Sequence, residues 1–277
     1  MKLLESVWNE FIYGGHFTAF TITLFPVSVS ILIGTPLDLK WIFPVYLGCY
    51  GAYLFNRFEE LGEDIRTNPK RSKYLESRRA NLPFYIVSSI ALMFIIPIIL
   101  QDYTTLSFFL LLTVLSLAYS THLKNLTKKV PCFKNFYLAL MFTLLCLLPF
   151  FKYQKPLSDS GIFLLFFIFS RIFVNSAFSD FKDIESDKKK KLLTLPVMTL
   201  GKARKILSSI TIFSFLILLL GILMKLVPTY FFSLSLVTIY SLIYLNISTT
   251  QELHLTLWSD SEGLVMFISS LLGVTLL

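Results

Sequence analysis

Two acidic clusters are set into an otherwise apolar chain, Asn56-Arg57-Phe58-Glu59-Glu60-Leu61-Gly62-Glu63-Asp64 and Asp180-Phe181-Lys182-Asp183-Ile184-Glu185-Ser186-Asp187. Each holds four carboxylates, so together they account for eight of the chain's seventeen. Acidic or amide side chains recur in them at i and i+4, a spacing that places them on one helix face. Asn56, Glu60 and Asp64 form one row, and Asp183 and Asp187 form the other, with Asp180 just ahead of it. Facing rows of oxygen donors suit hard divalent cations such as Mg²⁺, which commonly share their ligands with substrate phosphates. The chemistry this pattern points to is that of a diphosphate substrate.

Each cluster closes a long hydrophobic stretch and leads into a basic loop. The carboxylates therefore belong where a membrane helix meets water, not in mid-bilayer, where they are expensive. At such aqueous ends Asp64 and Asp187 are expected to add little to packing. A mean hydropathy of +0.70, with 55% hydrophobic and 15% charged residues, stands far from soluble domains, in which charged residues are about 25%. The chain reads as an all-helical, polytopic membrane protein, a single transmembrane domain over residues 1–277. A span needs roughly 20 mostly apolar residues. Nine such segments are predicted, at about 11–34, 40–58, 82–100, 104–120, 135–152, 158–180, 205–225, 228–249 and 261–277. The fourth and ninth are short and require tilt or local thinning, so eight is the alternative count.

Lys and Arg give the orientation. The loops after spans two, four and six carry eighteen of the twenty-five, from Arg66 to Arg79, from Lys124 to Lys134 and from Lys182 to Lys205. The positive-inside rule puts these loops and the N-terminus in the cytoplasm. Both acidic clusters then face the same compartment, an agreement reached without using the motifs. The expected location is an integral, multi-pass one, in the plasma membrane if the cell is prokaryotic, with the chemically equipped loops cytoplasmic.

The net charge of +8 does not imply a nucleic-acid partner, because the basic residues lie in short interhelical loops and not along one face of a soluble domain. Topology and attraction to anionic membrane lipids account for most of them. Cys49, Cys132 and Cys146 form no Cys-x-x-Cys pair or disulfide framework. His16, His122 and His254 are scattered and give no zinc pattern. No Gly-x-Gly-x-x-Gly or Walker-type loop is present, which disfavours nucleotide-driven transport. The N-terminal residues carry no small-residue cleavage site after a brief apolar core, so no signal peptide is expected. A weak repeat, acidic helix end followed by basic loop, divides the chain into two four-helix halves plus one helix, and duplicated helical units often place a site at their interface.

These motifs carry a resemblance. The chain resembles the UbiA superfamily of intramembrane prenyltransferases, whose members share Asn-x-x-x-Asp-x-x-x-Asp after span two and Asp-x-x-x-Asp after span six in a helical bundle of nine spans. Here the first reads Asn56-x-x-x-Glu60-x-x-x-Asp64, with Glu in place of the middle Asp, and the second reads Asp183-x-x-x-Asp187. Thr194-Leu195-Pro196-Val197 and Gly201, and the stretch Tyr119-Ser120 through Leu123-Lys124 to Lys134-Asn135, are also similar to family segments. Asn68-Pro69-Lys70-Arg71-Ser72-Lys73, and Lys191 to Leu193 after the second motif, depart from the usual loop patterns.

The resemblance implies Mg²⁺-dependent transfer of an isoprenyl group from an isoprenyl diphosphate to a lipid-soluble, possibly aromatic, acceptor. It implies Asn56, Glu60, Asp64, Asp180, Asp183 and Asp187 as metal ligands. Arg71 and Lys124, with Lys134 and Lys188 in reserve and Asn56 as a further contact, would hold the diphosphate, since Arg grips phosphate in a fork and Lys as a point charge. Asp64, Asp187, Lys124 and Tyr119 are the expected catalytic groups, Tyr119 orienting the acceptor or facing the cation, although an interfacial belt is the commoner place for such a tyrosine. Some of the twenty-eight Phe are expected to line an apolar conduit for the tail, while most face lipid or pack the bundle. Two alternatives use the same residues. One is a cyclase that quenches the cation internally. The other is a transporter or non-catalytic lipid-binding protein, for which Arg171 and Asn175 in span six are the deep polar residues.

Overall fold

The computed structural model describes residues 2–64, 68–199, 201–247 and 257–276, with the side chains of all but Lys2, Leu3, Glu63 and Asp64. His254 and Arg66 lie outside the described residues. Among those described, regular structure is helical throughout, with no strand. The helices are α1 (Lys2–Tyr13), α2 (His16–Leu32), α3 (Leu39–Glu59), α4 (Leu61–Asp64), α5 (Pro69–Glu76), α6 (Leu82–Ile99), α7 (Tyr103–Ala118), α8 (Phe133–Leu145), α9 (Leu148–Lys152), α10 (Asp159–Ser179), α11 (Ile184–Lys190), α12 (Leu195–Met198), α13 (Ala203–Leu223), α14 (Ser235–Asn246) and α15 (Glu262–Leu276).

Among the described residues, six segments are long and apolar enough to cross a membrane, and the bent pair Leu4–Tyr13 and His16–Leu32 makes a seventh. A helix occupies each of the nine predicted spans, but α3 is too polar and α15, at 15 residues, too short to meet that standard alone. The first predicted span is not one straight helix. It bends by 56° at Gly14–Gly15, where Gly15 has φ +90, a conformation that glycine adopts at no steric cost.

Contacts divide the chain into two compact units, Met1–Leu24 with Leu37–Leu106, and Phe25–Pro36 with Ser107–Leu277. In the first, α3 packs along α6 and α1 meets α5. Asp38 starts α3 by accepting the Lys40 N–H at 2.9 Å, which satisfies a donor left open at a helix start. Trp41, Val45, Leu54, Leu82 and Ile86 form the buried seam.

In the second unit α10 is central and packs against α8 and α13, while α14 bridges α13 and α15. Its larger core gathers Phe167, Ile168 and Ile172 of α10 with Leu218, Leu234 and Met266. A smaller core joins Val174, Ala177 and Phe178 to Leu195, Leu207, Tyr244 and Leu245. Because lipid tails are as apolar as these side chains, close packing and internal polar bonds hold such helices together. The smaller core fixes the end of α10, where the second acidic cluster begins.

Candidate active site

The first motif sits where α3 runs out. The Glu60 N–H still reaches the Asn56 carbonyl at 3.2 Å, so the i, i+4 register survives to the helix cap. Asn56 Nδ2 lies 3.4 Å and Arg57 Nη1 3.5 Å from Glu60 Oε2. Asp64 ends α4, but its side chain, like that of Glu63, is outside the described residues. Arg71, expected as a loop cation, is buried on α5 at 4% exposure.

The second motif does not ride on one continuous helix. After α10 the backbone makes a 3₁₀ turn over Asp180–Lys182, and Asp183 caps the start of α11. Asp180 and Asp187 are buried, at 2% and 5% exposure, whereas Asp183 is half-buried. This corrects the expectation that Asp187 lies at a solvated helix end. Asp180 Oδ2 accepts from Asn135 Nδ2 at 2.8 Å and its Oδ1 from Lys134 Nζ at 3.2 Å. Asn135 Nδ2 also reaches Ser176 Oγ at 2.9 Å. Its Oδ1 is buried without a hydrogen-bond partner. The Thr194 hydroxyl donates to Asp187 Oδ2 at 3.0 Å.

Burial, and then the charge of Asp180, push the Asp187 carboxyl up to about 6, against the lowering effects of Lys134 and the Thr194 hydrogen bond. Desolvation and a like charge both disfavour the ionised form. The Cys132 thiol is likewise pushed up by burial and then by Asp180, which keeps it protonated and a poor nucleophile.

Backbone bonds hold the flanking loops to this cluster. The Leu193 N–H donates to the Thr127 carbonyl at 3.1 Å, and the Cys132 N–H donates to the Leu193 carbonyl at 2.8 Å. Lys191, at φ 56, takes the left-handed position that closes α11, with the Leu192 N–H on the Asp187 carbonyl at 2.9 Å. That is the usual closure of a helix end, with Lys where glycine is favoured. Tyr119 opens a π-helical turn over Tyr119–Leu123, and its ring stacks on Tyr137 at 4.6 Å between centroids. Lys124 and Lys188 are exposed, while Lys134 is 45% exposed and in direct contact with Asp180.

A buried network that sequence reasoning missed lies on the other side of α10. Glu262, at the start of α15, is fully buried and accepts from Asn175 Nδ2 at 3.0 Å, Ser241 Oγ at 2.8 Å and Tyr244 OH at 2.9 Å. Arg171 Nη1 stands 3.9 Å from it, and Arg171 Nη2 donates to Thr211 Oγ1 at 2.9 Å. Arg171 and Asn175 are thus committed to a polar network inside the bundle. The signal for Glu262 in the sequence is an acid set just inside the last apolar segment, two residues after Asp260.

Among the described residues no three His, Cys, Asp or Glu side chains converge on one point. The donor set nevertheless fits a hard cation. Lys134 pairs with Asp180 and its charge also acts on the buried Asp187, and the Asn135 amide that donates to Asp180 keeps a buried, unpartnered Oδ1 as a neutral oxygen. Oxygen donors of this kind are what Mg²⁺ takes.

Among curated proteins, none matches the chain. A solved structure, from work on the biosynthesis of digeranylgeranylglyceryl phosphate synthase in membranes, is similar in fold, with TM-score 0.59 and 17% identity over 99% of this chain and 98% of that one. The UbiA prenyltransferase family matches residues 16–271, nearly the whole chain and both acidic motifs. The chain belongs to the UbiA prenyltransferase family.

Proposed function

We propose that this prenyltransferase moves an isoprenyl group from an isoprenyl diphosphate to a lipid-soluble acceptor, with Mg²⁺ as its cofactor. The observation that carries this reading is the second motif, where Asp180 and Asp187 are buried together beside Lys134 and the unpartnered oxygen of Asn135. A buried excess of carboxylates is costly unless a cation joins it. Asp180, Asp183 and Asp187 would hold the metal, and Asn56, Glu60 and Asp64 would supply the first motif's oxygens. Mg²⁺, when bound, neutralises charge developing on the leaving diphosphate.

The residues divide the remaining work. Lys134, fixed against Asp180 at 3.2 Å, presents a positive charge where the diphosphate accumulates negative charge. Lys124 and Lys188, both exposed, are available to the diphosphate oxygens as point charges. In the reaction the bond between the prenyl C1 and the diphosphate oxygen breaks, with its electron pair leaving on oxygen. The acceptor's nucleophile bonds to C1, and its proton passes to the released diphosphate or to water. The stacked Tyr119 ring offers a π face to the allylic cation, an attraction of about 0.5–2 kcal/mol.

The test is binding and turnover of labelled prenyl diphosphates of graded length, with a panel of acceptors, in Mg²⁺ and in EDTA. Binding at least tenfold weaker in chelator, with prenylated product formed only with metal, is the expected result. Equal binding in chelator, or diphosphate release yielding only cyclised hydrocarbon, overturns the reading.

A further inference from the structure

Arg204 joins the second motif to the end of α14. It stands half-buried in the first turn of α13, and its Nη1 donates to the Leu245 carbonyl at 3.1 Å and to the Ile247 carbonyl at 2.6 Å. The last carbonyls of a helix have no partner within it, and a cation beside them also suits the helix dipole. The same guanidinium lies 5.3 Å from the centre of the Phe181 ring, within the range of a cation–π contact. Arginine can make both contacts at once, because its planar fork donates hydrogen bonds and stacks on aromatic faces.

Phe181 lies between Asp180 and Asp183, inside the 3₁₀ turn that leads from α10 to α11. The backbone bond of that turn runs from the Asp183 N–H to the Asp180 carbonyl at 3.0 Å. Hydrogen bonds in such short pieces have poor geometry, so the setting of the turn depends on what its side chains touch. Asp180 is anchored to α8 through Asn135 and Lys134. Phe181 is anchored to α14. Its ring meets Phe178 at 5.8 Å, Phe178 meets Tyr244 at 4.8 Å, and Arg204 closes the circuit from Phe181 to the carbonyls at the end of the same helix. Contacts to two different helices thus set how Asp180 and Asp183 stand relative to each other.

We propose that Arg204 is a positioning residue for the second motif, holding Phe181 against the end of α14 so that the turn presents Asp180 and Asp183 in one fixed arrangement. Contacts of this outer kind orient metal ligands, and their loss commonly costs about 10–100-fold in metal affinity. The bearing on Mg²⁺ rests on the prenyl-transfer reading above, whereas the coupling of Arg204 to the turn rests on the contacts alone.

The test compares Arg204→Gln, Phe181→Leu, their double variant and Phe181→Tyr, which keeps the π face, in the full chain in detergent. Hydrogen exchange is followed without metal in peptides covering the turn and α8, and the Mg²⁺ concentration that supports binding of a labelled prenyl diphosphate is measured beside it. Each of Arg204→Gln and Phe181→Leu is expected to speed exchange at the turn while α8 stays protected, and to raise the Mg²⁺ requirement about tenfold. The double variant is expected to be no worse than either single one, the mark of two residues acting through one contact, and Phe181→Tyr to behave as the unaltered chain. Unchanged exchange at the turn overturns the proposal, as do losses that add in the double variant or that spread equally to α8. Should Arg204→Gln fail to fold, Phe181→Leu and Phe181→Tyr decide, since both leave the carbonyl bonds of Arg204 in place. Faster exchange confined to the turn, in a chain that never binds prenyl diphosphate, supports the role of Arg204 and removes the transfer reading.

Discussion

The hydroxyl of Thr194 donates to Oδ2 of Asp187 at 3.0 Å, tying the Thr-Leu-Pro segment to the second motif. Asp187 stands at about 6, raised by burial and then by Asp180, and a carboxylate must lose its proton to ligate a metal. Mg²⁺-dependent diphosphate binding is therefore expected to fall as pH is lowered through about 6. Thr194→Val removes a bond to the ionised form and moves that midpoint to higher pH, whereas Asp180→Asn removes a like charge and moves it lower. Calorimetric titration across this range checks both directions, and midpoints unmoved by either change refute the assignment. For stability the sign is opposite. A carboxyl raised in the fold favours its neutral form there, so its contribution is present at acid pH and is lost as pH rises through about 6.

The Glu60 side chain stands half-buried at the cap of α3, with Asn56 Nδ2 3.4 Å away. As a ligand it needs charge more than length, so Glu60→Asp should keep metal-dependent activity within roughly tenfold while Glu60→Gln loses far more. Glu59 and Glu63 are offset by about 100° around the helix from Glu60 and Asp64, so their Gln variants should be mild. Steady-state kinetics of the four single variants decide the matter. Equal damage from Glu59→Gln would mean that the row is misassigned.

Arg171 and Glu262 are both fully buried, 3.9 Å apart. Removing one partner leaves an uncompensated charge, at a cost of about 3–5 kcal/mol, whereas replacing both with apolar groups is often neutral. Glu262→Leu should therefore lower thermal stability sharply and Arg171→Met with Glu262→Leu should restore most of it. Melting curves in detergent report the difference. A double variant as unstable as the single one would mean that Glu262 acts through Asn175, Ser241 and Tyr244 alone.

Much of this was legible in the sequence because it follows from period and composition. The helices begin and end close to the apolar segments, and the motifs fall at helix ends where the basic loops begin. What stayed hidden depended on contacts distant along the chain. Asn135 and Asp180 meet only because α8 packs on α10. Asp187 is buried by Thr194 and the closing turn at Lys191, which no spacing rule encodes. The bend at Gly14–Gly15 looked like part of one apolar run, although two adjacent glycines are the local signal for it. Glu262 follows Asp260 and Ser261 at the start of the last apolar segment, a pattern that by itself reads as solvated interface.

The burial of Glu262 also bears on how the chain enters its membrane. Helix α15 opens on that carboxylate, and an intramembrane charge costs a few kcal/mol. Left alone in lipid, α15 would be a poor candidate for insertion by its own partitioning. Docked, its carboxylate finds Asn175, Ser241 and Tyr244 already held on α10 and α14. Docking of α15 onto α10 and α14 thus supplies the partners that its buried carboxylate needs, and its insertion is expected to depend on theirs.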